Sequence, residues 1–389
     1  MNKKNIEIGL LGFEFKSPNK GCEALTYSFI YMLKEIFQEY KIKIYNFANC
    51  PNMGEVPENF PDIIFEEVPM RRRNVFHINE RKKIRRCAFV FDVTMGDSFS
   101  DIYSKKACKY LISQKKLIAN NTEKYVLLPQ TYGPFSDASI LKNAMGVIER
   151  ARLVLCRDNL SKIFLSKYLP EKKVDVLTDL AFFLPANRYE INKTNNKVKI
   201  GMNISGLLWK GGFTSDNQFG LKCDYKEYIY ALLKEYTNND LYQVYLIPHV
   251  IKDMDISADD DYNIIECLNK EFPNAIIAPR FQTPMDAKGY ISEMDLFLGA
   301  RMHSTIAAFS TGTAVIPFSY SRKFEGLYDD YDYKFLIDGK ELQTELAIEK
   351  TKEYIDCYLD IKKEVEEKQE LIYREKQKLL DYVRNIFSE

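Results

Sequence analysis

Short apolar runs bounded by glycine or polar turns recur along this chain, with longer helix-patterned stretches between them, and that alternation limits the fold more than any other feature. A strand buried on both faces reads as a short continuous apolar run, and parallel strands need a long crossover between them, so the pattern specifies βαβ units and a parallel sheet. In the first half the spacing predicts strands at residues 6–11, 43–47, 88–93, 125–128, 153–156 and 174–177, with helices such as 22–37 between them. At Leu184 the pattern stops. The stretch from Pro185 to Asn196 is polar, asparagine-rich and aperiodic, which marks a linker. A second series follows, with strands expected at 198–204, 243–248, 275–278, 295–298 and 314–317. A length of 389 residues also exceeds what one core organises. The expected architecture is therefore α/β, with two doubly wound Rossmann-like domains: residues 1–184, a linker 185–197, residues 198–338, and a helical segment 339–389. That last segment is charge-laced and reads as a solvated helix that packs one face on the body or, alternatively, as a partner-binding coiled coil, though no a/d seam is sustained over several heptads.

Composition removes several function classes. Lysine plus arginine equals aspartate plus glutamate at 55 each, so no overall field recruits nucleic acid or a membrane, and any attraction to an anion must be local. Eight cysteines are scattered without a C-x-x-C pair, which favours free buried thiols in a reducing cytosol over disulfides or zinc. The amino-terminal residues pass straight into an apolar strand without the pattern of a signal peptide, and no run of about 18 apolar residues occurs. The expected location is cytoplasmic, with peripheral membrane contact left open. The basic run from Arg71 to Arg86 is either a solvated face or a contact for anionic lipid or a pyrophosphate-bearing acceptor. No G-x-G-x-x-G, no phosphate-loop motif and no histidine–carboxylate cluster is present, so neither a resident cofactor nor a metal is expected.

The residues best suited to chemistry lie in Gly299-Ala300-Arg301-Met302-His303-Ser304. An apolar strand ends at Gly299 and a helix opens after it, so Arg301 and His303 fall at a strand's carboxyl end and a helix's amino end. In an open parallel sheet that is a ligand crevice, and the helix dipole favours an anion there. Arginine can grip carboxylate or phosphate with a planar fork, and histidine can move a proton near neutral pH. The next strand delivers Lys323 to the same edge, as a phosphate contact or an exposed loop lysine. Similar strand-end loops carry Asn19, Gly21 and Glu23, then Asp97 and Ser98, then Gln130 and Thr131, then Arg157, then Ser205 and Gly206. Arg157 directly follows a buried strand and needs an anionic partner: a ligand, Asp158 or Asp179.

Taken together, these loops resemble the polysaccharide pyruvyl transferase family. The matching elements are Asn19-x-Gly21-x-Glu23-Ala24-Leu25, Gly96-Asp97-Ser98-Phe99-Ser100-Asp101, Gln130-Thr131-Tyr132-Gly133-Pro134-Phe135, Arg157-Asp158, Asp179-Leu180-Ala181-Phe182, Gly201-Met202-Asn203-Ile204-Ser205-Gly206 and Gly299-Ala300-Arg301-Met302-His303. Cys22 stands where the family often has aspartate, and Thr94-Met95-Gly96 replaces a more glycine-rich loop. The resemblance implies a glycosyltransferase-B-like pair of domains whose carboxy-terminal helices return to the first domain. It also implies transfer of a pyruvyl group from phosphoenolpyruvate to a sugar diol of a polysaccharide or of its lipid-linked precursor. His303 and Arg301 would be catalytic, and Arg157, Arg301, Ser304, Lys323, Ser205 and Gly206 would bind phosphoenolpyruvate. Asn19, Gly21, Glu23, Asp97, Ser98, Gln130 and Thr131 would bind the acceptor on the first domain. The proton moved by His303 could be that of the methylene carbon, the sugar hydroxyl or the departing phosphate. Two other functions fit the bare pattern: a nucleotide-sugar glycosyltransferase and a non-catalytic carbohydrate-binding protein.

Overall fold

A computed structural model describes residues 3–71, 77–102, 104–191, 196–252 and 259–388, without the side chains of Arg322 and Lys323. The chain divides into two units. The first gathers Met1–Ser17, Leu25–Leu180 and Glu375–Glu389; the second gathers Pro18–Ala24 and Ala181–Arg374.

In the first unit the strands are β1 (Lys4–Leu11), β2 (Tyr40–Ala48), β3 (Ile64–Pro69), β4 (Phe89–Asp92), β5 (Tyr125–Gln130), β6 (Leu153–Cys156) and β7 (Asp175–Val176). They form one sheet in the order β3-β2-β1-β4-β5-β6-β7, every neighbour parallel. Every residue of β4 and β5 is buried, as expected of central strands covered on both faces. Side-chain caps start the crossover helices: Ser104 for Lys105–Ala119, Asp137 for Ala138–Arg150 and Asp158 for Asn159–Tyr168. Strand β3 was not expected, because its sequence IFEEVP lies mostly unburied at the sheet edge and carries no apolar run.

The second unit holds β8 (Val198–Asn203), β9 (Tyr242–Leu246), β10 (Ile276–Ile277), β11 (Leu296–Gly299), β12 (Ala314–Ser319) and β13 (Ile337–Asp338). Their order is β10-β9-β8-β11-β12-β13, again all parallel. In each sheet the chain order reverses beside the first strand, at β1/β4 and at β8/β11. The crevice for a ligand opens at the carboxyl ends of those strands.

Three boundaries differ from expectation, the first being that residues 181–184, expected in the first domain, group with the second unit. Residues 18–24 group with the second unit, not the first. Part of the expected linker is also packed: Asn187 N donates to Met285 O at 3.2 Å and Asn187 Nδ2 to Asp286 Oδ1 at 2.7 Å, while residues 192–195 lie outside the described set. The tail helix Tyr358–Ser388 buries the stripe Ile361, Val365, Ile372, Leu379 and Val383, and its end returns to the first unit. There Glu375 accepts from Thr178 N at 2.8 Å, Tyr382 donates to Asp175 at 2.5 Å, and Phe387 packs edge-on to Phe37 at 5.0 Å. Among the described residues no helix is long and apolar enough to cross a membrane. The cysteines are free; Cys87, Cys108, Cys156 and Cys223 are buried, whereas Cys50 and Cys267 are exposed.

Candidate functional site

The β8/β11 crevice is built around one carboxylate. Asp261 is fully buried, and its Oδ1 accepts from Arg301 Nη2 at 2.7 Å, Arg301 Nε at 3.1 Å and Gly206 N at 2.9 Å. Its Oδ2 accepts from Asn203 Nδ2 at 3.2 Å, His249 N at 3.1 Å and Val250 N at 3.0 Å. Burial alone would raise this carboxyl; the Arg301 charge and the N–H donors outweigh it and hold it below the usual carboxylate range. Asp259 adds a second ion pair to Arg301 Nη2 at 2.5 Å, and the two carboxylates keep the guanidinium charged against its burial. Arg301 is thus at the expected corner, but one edge of its fork is already occupied. It supplies fixed positive charge rather than a wholly open clamp.

Asn203, the last residue of β8, braces the same corner from below. Its Oδ1 accepts from Arg301 N at 3.0 Å and from Ser304 Oγ at 3.2 Å, and Ser304 Oγ also donates to Arg301 O at 2.7 Å. Ser304 is fully buried, and its hydroxyl is engaged inside the corner with these two oxygens. Ser205 and Gly206 are engaged within the chain as well. Ser205 is fully buried and caps the turn Gly206–Trp209 through Leu208 N. Gly206 lies so close to Asp260 O that an added Cβ would sit 2.1 Å from it. The side chain of Lys323 lies outside the described residues.

His303 stands in the first turn of the helix Met302–Phe309 and is partly exposed. A Cβ on Gly21 would fall 2.4 Å from His303 Nδ1, so only glycine fits there. The backbone holds this approach in place: Lys20 N donates to His249 O at 3.0 Å, Ile251 N to Pro18 O at 2.9 Å, and Asn19 bridges to Val250. Asn19 Oδ1 accepts from Gly21 N at 3.0 Å, while Lys20 Nζ is held by Glu23 at 2.8 Å and Gln282 O at 3.0 Å. Asn19, Gly21 and Glu23 therefore belong to the second unit, with Gly21 against His303, and not to the first. Two helix amino ends, at Lys20 and at Met302, meet at this histidine.

In the first unit Arg157 is buried and finds its partner in Asp179, at 3.0 Å from Nη1, with Nε donating to Thr131 Oγ1 at 2.8 Å. Asp158 instead caps the following helix through Ser161 N at 2.6 Å. Burial works against the Arg157 charge, and Asp179, Asp97 and Asp158 more than offset it. Among the described residues Arg157 Nη2 has no hydrogen-bond partner. Thr131 thus belongs to this arginine, and Gln130 is fully buried, donating to Asp92 O at 2.9 Å.

A cavity of about 540 Å³ opens at the ends of β1 and β2, and Ser98 is the one expected acceptor residue on its wall. Phe13, Phe15, Phe47, Met95 and Leu111 make much of the lining, with Asn46, Asn49 and Gln114 among the polar groups. Asn46 is buried and its Oδ1 has no partner among the described residues. The basic run is partly spent within the chain: Arg86 pairs with Glu7 at 2.5 Å and Lys83 with Glu66 at 2.5 Å, while Arg72 and Arg73 lie outside the described residues.

Sequence reasoning missed Asp261, His249 and Lys20. Asp261 sits in the run Asp259-Asp260-Asp261, which looks like ordinary exposed charge. His249 was findable, since it follows a strand's carboxyl end just as His303 does. Among the described residues no group of three metal-ligating side chains occurs.

A family model described as polysaccharide pyruvyl transferase matches residues 19–322. No curated protein matches the chain at a significant level. Among solved structures, the chain is similar to a UDP-N-acetylglucosamine 2-epimerase, with a TM-score of 0.58 at 12% identity over 98% of this chain and 97% of that one. It is also similar to HepE of Anabaena in complex with UDP and glucose, at 0.57 and 13% over 97% and 99%. An α,α-trehalose 6-phosphate synthase from Burkholderia multivorans gives 0.56 and 8% over 100% and 98%. At such identities the likeness shows the fold alone, a glycosyltransferase-B-like pair of Rossmann units.

Proposed function

This chain belongs to the polysaccharide pyruvyl transferase family, and we propose that it moves the pyruvyl group of phosphoenolpyruvate onto two neighbouring hydroxyls of a saccharide, releasing phosphate. The observation that carries this reading is the β8/β11 corner. His303 stands there at the meeting of two helix amino ends, beside the fixed charge of Arg301 and the buried Lys20. Such a place favours a multivalent anion and a proton transfer on it.

The reaction balances without a redox partner, so phosphoenolpyruvate enters as co-substrate and no resident cofactor is invoked. A proton added to the methylene carbon makes C2 electrophilic, and one sugar oxygen bonds to C2 and gives up its hydrogen. The bond from C2 to the phosphate oxygen then breaks, with its electron pair leaving on phosphate. The second sugar oxygen bonds to C2, closing the ketal. The two hydroxyl protons account for the one gained by the methylene and the one that leaves with phosphate. His303 is the group we assign to proton transfer, and Arg301 to stabilising the anion through its fixed charge.

The cavity beside β1 and β2 suits the saccharide. Aromatic faces accept the C–H side of a sugar ring, and Asn46, Asn49 and Gln114 offer amides to hydroxyls. Incubation with phosphoenolpyruvate and a panel of galactosides, glucosides and mannosides tests the reading. Acceptor-dependent phosphate release, with a product heavier by one pyruvate less one water, is the expected result. Activity confined to nucleotide sugars would overturn it.

A further inference from the structure

We propose that the ring of His249 donates a hydrogen bond to an anionic oxygen of the phosphorylated ligand at the β8/β11 corner, making it a binding residue beside His303. The inference rests on the reading of that corner as an anion site.

His249 follows β9 by way of Ile247 and Pro248, and both of its backbone groups are fixed. Its N–H donates to Asp261 Oδ2 at 3.1 Å and its carbonyl accepts from Lys20 N at 3.0 Å. The residue is only 3% exposed. Yet among the described residues neither Nδ1 nor Nε2 has a hydrogen-bond partner. A neutral imidazole always carries one N–H donor and one lone pair, so two polar atoms are buried with nothing to meet them. Buried polar side-chain atoms are nearly always satisfied, and an exception points to something that binds there.

The surrounding charges identify what that is. The groups bearing on the ring are His303, Arg301 and Lys20 on the cationic side and Asp261 on the anionic side. Asp261 is already committed to Arg301, Gly206, Asn203 and the backbone of residues 249 and 250, so it has no oxygen left for the ring. Burial first, and then the His303, Arg301 and Lys20 charges, push the imidazole down to about 3, so it stays neutral. A neutral N–H near the Arg301 and Lys20 cations lacks one thing, a negatively charged acceptor. The phosphorylated ligand brings it. This also divides the labour between the two histidines: His303 is the group that exchanges a proton, and His249 binds without exchanging one.

Calorimetric titration of wild type, His249→Leu and His249→Asn with phosphoenolpyruvate, inorganic phosphate and pyruvate, without any acceptor, tests this. We expect His249→Leu to weaken the best-bound anion by roughly ten- to a hundredfold, the worth of one hydrogen bond to a charged acceptor, with His249→Asn recovering part of it. Unchanged affinity in a folded His249→Leu overturns the inference and means that only water meets the ring. If wild type binds phosphate but not phosphoenolpyruvate, the proposed reaction fails while the comparison on phosphate still decides the role of His249. Binding of none of the three overturns both. Should His249→Leu not fold, nitrogen NMR of labelled histidine in wild type decides. The ring signals of His249 should move on ligand addition and keep a neutral pattern between about pH 6 and 8; an imidazolium pattern, or no movement, contradicts the inference.

Discussion

Arg157 and Arg301 are both buried guanidiniums held by a fully buried carboxylate, Asp179 in one unit and Asp261 in the other. Removing the Asp261 charge takes away the fully buried counterion and leaves Arg301 only the part-exposed Asp259. Asp261→Asn should therefore destabilise the second unit by about 3–5 kcal/mol, measured by denaturant unfolding, and a loss below about 1 kcal/mol would refute its structural role. His303 differs because it is partly exposed. His303→Ala should lose about 10²- to 10⁴-fold in turnover at unchanged unfolding midpoint, and near-full turnover would remove it from the chemistry. At this scale the sequence was informative about position and poor about pairing. A histidine or arginine directly after a parallel strand announces itself, as His303, Arg301 and Arg157 did. Which carboxylate closes on an arginine is decided by tertiary contact: Asp261 lies forty residues from Arg301 and has no local signature.

The strands and crossover helices of both sheets were largely legible because burial on both faces leaves continuous apolar runs; the two-residue strand β13 and the acidic edge strand β3 carry no such signal. The segment 18–24 was misjudged for a related reason. Sequence order ties it to β1, whereas its backbone bonds to residues 249–251 tie it to the second unit. The helix Pro284–Ile291 shows a further feature that periodicity hides. Lys288 is buried there, with Nζ donating to Phe182 O at 3.1 Å and Ala181 O at 3.4 Å. Burial pushes its ammonium down to about 7 from 10.5. Between those two values the unfolded chain holds a proton that the folded one has released, so wild type gains stability as pH rises through the window and loses it as pH falls toward 7. Lys288→Met has no such proton to lose. Its melting temperature should exceed that of wild type most at and below about pH 7 and least near pH 10, and calorimetry showing a difference independent of pH would contradict this.

Across the whole molecule charge is balanced, so the anion recognition we propose is left to local devices, and the family membership is what ties the proposal to pyruvyl transfer. The tail was anticipated as a helix returning to the first unit, and its polar surface pattern gave no sign of how it is fastened. Phe387 supplies the anchor, packing against Phe37, Tyr40 and Phe89, with Lys376 paired to Glu35 at 2.9 Å. A chain ending at Arg374 should lose amide protection in β1 and β2 while β8 and β11 keep theirs, as hydrogen exchange would register; equal protection throughout would show that the tail does not fasten the first unit. The claim that binds these scales together is ketal formation at the β8/β11 corner. Phosphoenolpyruvate labelled with carbon-13 at C2, incubated with the best saccharide acceptor and followed by NMR, tests it most directly. The account predicts that the label leaves its alkene position and appears as a saturated ketal carbon attached to two sugar oxygens, at a rate that collapses in His303→Ala. Label that remains in phosphoenolpyruvate with every acceptor, or appears only as free pyruvate, would contradict it.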